Sequence, residues 1–183
     1  MANGAPDSEA GIVATPVRLA IDAVTRDPAL QCRAKLDEET VLRYVEVVDD
    51  LPAVKVIRVE GVDFLVDGWH RFEAHVRADR PDVSAVVVVG TRRDAILAAV
   101  QANSNHGLPR SNEDTRRAVK VLLMDAEWCK LSDRALAKLA DVSHTHVAVQ
   151  RKHFGVKAGE LLTADEANRL EGKWPPAWEA FRA

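Results

Sequence analysis

The sequence predicts an α+β protein: a small α/β domain followed by an all-α domain built on a helix-turn-helix. Three observations carry that prediction. Up to residue 102, short apolar runs alternate with amphipathic stretches of helical period. One run ends in Asp67-Gly68-Trp69-His70-Arg71, a strand-to-helix corner placed at a glycine. Residues 133–152, DRALAKLADVSHTHVAVQRK, then have the spacing of two short helices joined by a tight turn.

Taken in order, residues 1–15 are rich in Ala, Gly, Pro and Ser without apolar periodicity and read as a disordered leader. The α/β domain, residues 16–102, opens with Val17-Arg18-Leu19-Ala20-Ile21, a strand that Asp27-Pro28 interrupts downstream. Asp37 caps a helix running to about Val48, with Val41, Leu42, Tyr44, Val45 and Val48 as its buried stripe. Residues 54–59 and 63–66 flank Glu60-Gly61 as a hairpin and lead into the glycine corner. A helix over residues 72–77 ends before Pro81, residues 84–89 form a continuous apolar strand, and residues 92–101 form a helix with Ala95, Ile96, Ala99 and Val100 inward.

Residues 103–111 are polar, contain Gly107 and Pro109, and read as a hinge. The helical domain, residues 112–153, begins with a helix capped by Ser111 or Asn112. It runs through Met124 and turns Ala118, Val121 and Leu122 inward and Arg116, Arg117 and Lys120 outward. In the helix-turn-helix, Leu136, Ala137 and Ala140 form the first apolar face, Asp141-Val142 the turn, and Ser143 caps a second helix held by Val147. Asp141 stands where glycine is commonest, and Gln150 where an apolar residue is expected. The tail, residues 154–183, carries one more helix over residues 163–170 and the segment Trp174-Pro175-Pro176-Ala177-Trp178, which pads the core or meets a partner.

Composition narrows the function classes. With 183 residues, 47% hydrophobic and 29% charged, the chain can bury a real core; it has no long uninterrupted apolar run, and a cleavable leader is not expected. A cytoplasmic, nucleoid- or plasmid-associated protein with no membrane contact is expected. Cys32 and Cys129 lack metal-ligand spacing and read as free thiols. The net charge of −3 is unevenly spread: residues 110–157 hold ten Lys/Arg against six Asp/Glu, a balance of +4, which leaves −7 elsewhere. That places a basic surface on the helical segment, as phosphate contact requires.

Two candidate sites follow. At the corner, a glycine turn into a helix offers free backbone N–H groups and the positive end of the helix dipole, and His70 and Arg71 add basic groups, so Gly68, His70 and Arg71 are candidate phosphate ligands. On the second hairpin helix, Ser143, His144 and Thr145 lie at the amino end, with Ala148, Arg151 and Lys152 following, and these are candidate contacts to double-stranded DNA. A plain strand-turn-helix corner and an ordinary helical hairpin are the competing readings.

The order of these features resembles the ParB family over roughly residues 17–152. The resemblance rests on Leu30-Gln31-Cys32-Arg33 after the first strand, the corner at residues 67–71, the loop at residues 103–106 and the helix-turn-helix. It implies a ParB/sulfiredoxin-like fold, CTP or another nucleoside triphosphate at the corner, and Asn103 and His106 as further nucleotide contacts. It also implies DNA binding in plasmid or chromosome partition or in transcriptional regulation, with a homodimer where the site is two-fold symmetric. The family's Glu-Asn pair reads Ala102-Asn103 here, so magnesium lacks its usual acid. His106 stands where Arg is common, and no catalytic residue is assigned.

The alternative class is a nucleotide hydrolase (CTPase or ATPase) or nuclease of the same superfamily. Sulfiredoxin chemistry needs a thiolate where this chain has Trp69, and Cys32 is far enough away in sequence that its approach is not expected. Zinc is disfavoured because His144, His146, His153 and Cys129 lack ligand spacing. Asp63, Asp67 and Glu73 supply carboxylates near the corner without evident convergence on a metal pair.

Overall fold

The computed structural model describes residues 15–33, 35–102 and 110–162. Asn103, His106, most of the expected hinge, nearly all of the leader, the helix expected over residues 163–170 and the Trp174 to Trp178 segment lie outside the described residues.

Strands β1 (Val17–Ala20), β2 (Val24–Thr25), β3 (Val54–Val59), β4 (Val62–Asp67) and β5 (Asp82–Val89) form one mixed sheet in the order β1-β5-β3-β4-β2. The hairpin β3-β4 is antiparallel, with Ile57 opposite Phe64 and a register shift at Lys55/Val56. It closes through Glu60 (φ 50°) and Gly61 (φ 84°), two left-handed residues that match the twist of the strands they join. β5 runs parallel to β3 and β2 parallel to β4, while β1 is antiparallel to β5.

Helix α2 (Trp69–Arg77) covers one side of the sheet, where Val54, Val56 and Leu65 meet Phe72 and Val83, and helix α1 (Glu38–Glu46) packs against α2. Helix α3 (Arg92–Gln101) covers the other side, against Ile57 and Val66. Alternation along β3 and β4 divides the two cores: Val56 and Leu65 face one way, Ile57 and Val66 the other. The second core continues without a break into α4 (Asn112–Leu123), α5 (Asp133–Ala140) and α6 (His144–Phe154), through Ala118, Leu122, Leu136, Val147 and Phe154.

Several expectations need correction. α2 begins at Trp69, three residues before residue 72, because Gly68 itself supplies the cap. α1 stops at Glu46, and Leu42 is 54% exposed: it sits one residue from Val41, about 100° around the helix and off the buried stripe. Lys120, expected outward, is buried. Six consecutive residues from Ala118 to Leu123 are buried, so the C-terminal half of α4 is enclosed on all sides, and the Lys120 ammonium lies 5.6 Å from the centroid of the Phe154 ring.

Candidate nucleic-acid interface and the glycine corner

The corner is built around Gly68, at φ 93° and buried. A Cβ there would lie 2.9 Å from Val54 Cγ1 and 3.0 Å from an Arg71 guanidinium nitrogen, so both the backbone angle and the space demand glycine. The Phe72 N–H donates to Gly68 O at 2.8 Å and starts the helix. Arg71 does not project outward. Its guanidinium donates to the backbone carbonyls of Pro52 (2.9 Å) and Ala53 (2.5 Å) and lies 3.4 Å from Asp67, tying the corner to the start of β3.

His70 departs from its expected role as a cationic phosphate ligand. It is buried, its Nε2 accepts the Asp37 backbone N–H at 2.9 Å, and burial followed by the charge of Arg33 pushes its pKa below the ordinary value. The ring is therefore neutral and faces α1. The nearby carboxylates are each held by their own arginine: Asp63 by Arg58, Asp67 by Arg71, Glu73 by Arg26 and Arg77.

A cavity of about 10 Å³ beside the corner is lined by Cys32, Arg33, Trp69, Ala102, Arg110 and Asp114 among others. Cys32 therefore does approach the corner, against the sequence expectation, because the segment after β2 folds back under α3. Burial pushes its thiol up to about 12, so it is a protonated thiol and a poor nucleophile. Arg110, which sequence reasoning did not select, donates to the carbonyls of Val100, Ala102 (2.9 Å) and Ala140 (2.7 Å), joining the ends of α3 and α5. Its position next to a helix cap gave no signal of that role.

The corner side chains that the resemblance implies as nucleotide ligands are engaged within the fold, while Asn103 and His106 lie outside the described residues. His70 accepts the Asp37 N–H, and the Arg71 guanidinium donates to Pro52 and Ala53. For magnesium, Ala102 offers no donor, and among the described residues no group of three His, Cys, Asp or Glu could hold a metal ion.

The second site is the α5-α6 hairpin. Asp141 adopts the left-handed conformation (φ 52°, ψ 58°) in the position usually given to glycine, and the Val142 N–H donates back to Ala137 O at 2.9 Å. Ser143 Oγ accepts the His146 N–H at 3.1 Å and caps α6. Val147 is fully buried against α5, whereas Ser143, His144, Thr145, Ala148, Val149 and Lys152 are exposed.

Arg151 is a correction: it is buried and cannot reach DNA from this position. Its guanidinium donates to Asp133 (2.7 Å) and to the carbonyls of Leu131, Cys129 and Lys157, so it holds α6 to the start of α5 and to the segment after α6. The charge balance is corrected with it. Of the ten cations in residues 110–157, Lys120 and Arg151 are buried and Arg110 and Arg117 half-buried in internal contacts. Arg134, Lys138 and Lys152 remain exposed on the hairpin, with His144 and His153 beside them.

No family model matches the chain. Among curated proteins it is 32% identical over 127 residues to the transcriptional regulator NovG of Streptomyces niveus, a match covering 68% of this chain and 38% of that protein. It is 30% identical over 103 residues to a streptomycin biosynthesis operon possible regulatory protein of Streptomyces griseus, covering 56% and 28% respectively. The chain thus spans well under half the length of either relative. Among solved structures, the C-terminally truncated chromosome-partitioning protein ParB of Caulobacter crescentus, complexed to the centromeric parS site, aligns over 83% of this chain and 76% of that one at 17% identity, with a TM-score of 0.50. The same protein complexed with CTP-γ-S aligns over 78% and 79%, with a TM-score of 0.45. Sheet order, glycine corner and helical hairpin together give the chain a ParB/sulfiredoxin-like fold.

Proposed function

We propose that the chain is a DNA-binding regulator of ParB type that places α6 in the major groove and acts on transcription in the cytoplasm. The observation that carries the reading is the division of α6 into a buried side (Val147, Gln150, Arg151, Phe154) and an exposed one (His144, Thr145, Ala148, Lys152), with Arg134 and Lys138 exposed on the preceding helix of the hairpin. Two regulators among the similar proteins favour transcription over partition. Two copies would read half-sites about 34 Å apart on a two-fold symmetric duplex. A nucleotide hydrolase or nuclease is not favoured, since the corner carboxylates are individually paired.

The test is a titration against a duplex that the protein itself selects from a random pool. Thr145→Ala combined with Lys152→Ala is expected to weaken binding about ten-fold and to flatten the salt dependence by about one ion. Unaltered binding overturns the reading. In the same titration CTP is expected to leave the affinity unchanged, because a triphosphate at the corner would have to displace Arg71 from Pro52 and Ala53. A shift with CTP would mean that the corner opens to bind nucleotide.

A further inference from the structure

The outward side of α6 has an unusual chemical makeup for a helix that reads bases. Thr145, Ala148, Val149 and Lys152 stand at i, i+3, i+4 and i+7, a single stripe on the helix. Direct readout of guanine or adenine commonly uses Arg, Lys, Asn or Gln in two-point hydrogen bonds. The two side chains of α6 best suited to this, Gln150 and Arg151, are turned inward at 4% and 5% exposure. Lys152 lies at the far end of the stripe and Thr145 at its beginning, and the middle is filled by two side chains without a donor or acceptor. Val149 is 55% exposed, and among the described residues it is the one large apolar side chain of α6 left open to solvent.

We propose that Val149, with Ala148 beside it, is the specificity-determining contact of α6 and that it reads the 5-methyl group of thymine in the major groove. The inference rests on the DNA-binding reading above. The methyl of an A·T pair is the one apolar feature on a major-groove base edge, and a small branched aliphatic side chain is its natural complement. The surroundings commit the stripe to DNA rather than to a protein partner. Lys152 stands in the stripe itself, and Arg134 and Lys138 are exposed on α5 of the same hairpin, a charge pattern that fits a polyanion, whereas one valine and one alanine make too small an apolar patch for a stable protein interface.

The experiment uses the full chain and the duplex it selects from a random pool. Thymines in each half-site are replaced singly by deoxyuridine, which keeps every hydrogen-bonding group of the base pair and removes only the methyl. At one or two positions the wild-type protein is expected to lose affinity about four-fold, the ratio equivalent to about 0.8 kcal/mol for burying one methyl-sized group. Val149→Ala, an exposed substitution that leaves the core untouched, should bind the thymine duplex more weakly and no longer distinguish uracil from thymine. Equal wild-type affinity for both duplexes overturns the inference while leaving DNA binding intact, as does a Val149→Ala protein that still discriminates. Failure to select any duplex removes the DNA-binding reading and this inference with it. If Val149→Ala leaves DNA affinity unchanged but abolishes capture of a protein partner, the stripe is a protein contact.

Discussion

His70 keeps its place only as a neutral ring. Because Nε2 accepts the Asp37 N–H, the ring proton must sit on Nδ1, and adding a second proton would destroy the acceptor. Burial, with Arg33 second, lowers its pKa from 6.5, and burial with Arg116 does the same for His146, whose Nε2 has no partner. In the unfolded chain both imidazoles take up a proton at the ordinary value, so just below it the unfolded state binds more protons than the folded one. Stability is therefore fully present above about pH 6.5 and declines as pH falls toward the lower folded-state values. The urea midpoint is expected to drop between about pH 7.5 and 5.5 and to drop less in His70→Gln, whose amide oxygen can still accept the Asp37 N–H. An identical pH profile for the variant would show that this hydrogen bond does not set the pH dependence.

Among the elements, α6 separates what was legible in the sequence from what was not. Small Ala137, the Asp141-Val142 turn, the Ser143 cap and the buried Val147 were legible because each meets a local steric or hydrogen-bonding requirement at a fixed offset. Strands β1, β3, β4 and β5 and the inward face of α3 were legible from their apolar runs, and the β3-β4 hairpin from Glu60-Gly61 between two of them, whereas the two-residue β2 was too short to leave a pattern. Lys120 and Arg151 were not, since periodicity sorts side chains by polarity and both are polar groups satisfied inside the fold, one over an aromatic ring and one by three carbonyls and a carboxylate. At the corner, the need for glycine was legible, but the inward engagement of Arg71 with residues 52 and 53 was a long-range fact with no local trace. Gln150 lies between these cases: the spacing marked it as a core position, and it is buried there with an unpartnered Oε1. An unsatisfied buried polar atom costs about 1–3 kcal/mol, so Gln150→Leu is expected to stabilise the protein by about 1 kcal/mol after allowing for imperfect packing. Chemical denaturation checks it, and a loss of stability would mean that the amide has a hydrogen-bonded role, for example through an ordered water.

At the scale of the whole molecule, the issue is how the α/β layer and the helical hairpin hold each other. One apolar core runs from Ile57 and Val66 through α3 to Leu136 and Val147, and Arg110 adds a polar clasp across it by donating to the last carbonyls of α3 and α5. Helix C-termini leave carbonyls without intrahelical partners, and a half-buried guanidinium with several fixed donors can satisfy two such ends at once. This geometry opposes free rotation of the hairpin at the end of the segment expected to act as a hinge. Arg110→Ala removes donors from Val100, Ala102 and Ala140 together and is expected to cost about 2–4 kcal/mol. Because the apolar core remains, the loss should be local before it is global. Amide exchange should accelerate most at Ala102 and Val142, whose N–H groups close the last turns of α3 and α5, and least in β3 and β5 at the centre of the sheet. Equal acceleration at all these amides would instead mean that Arg110 contributes to overall stability without clasping the two helix ends.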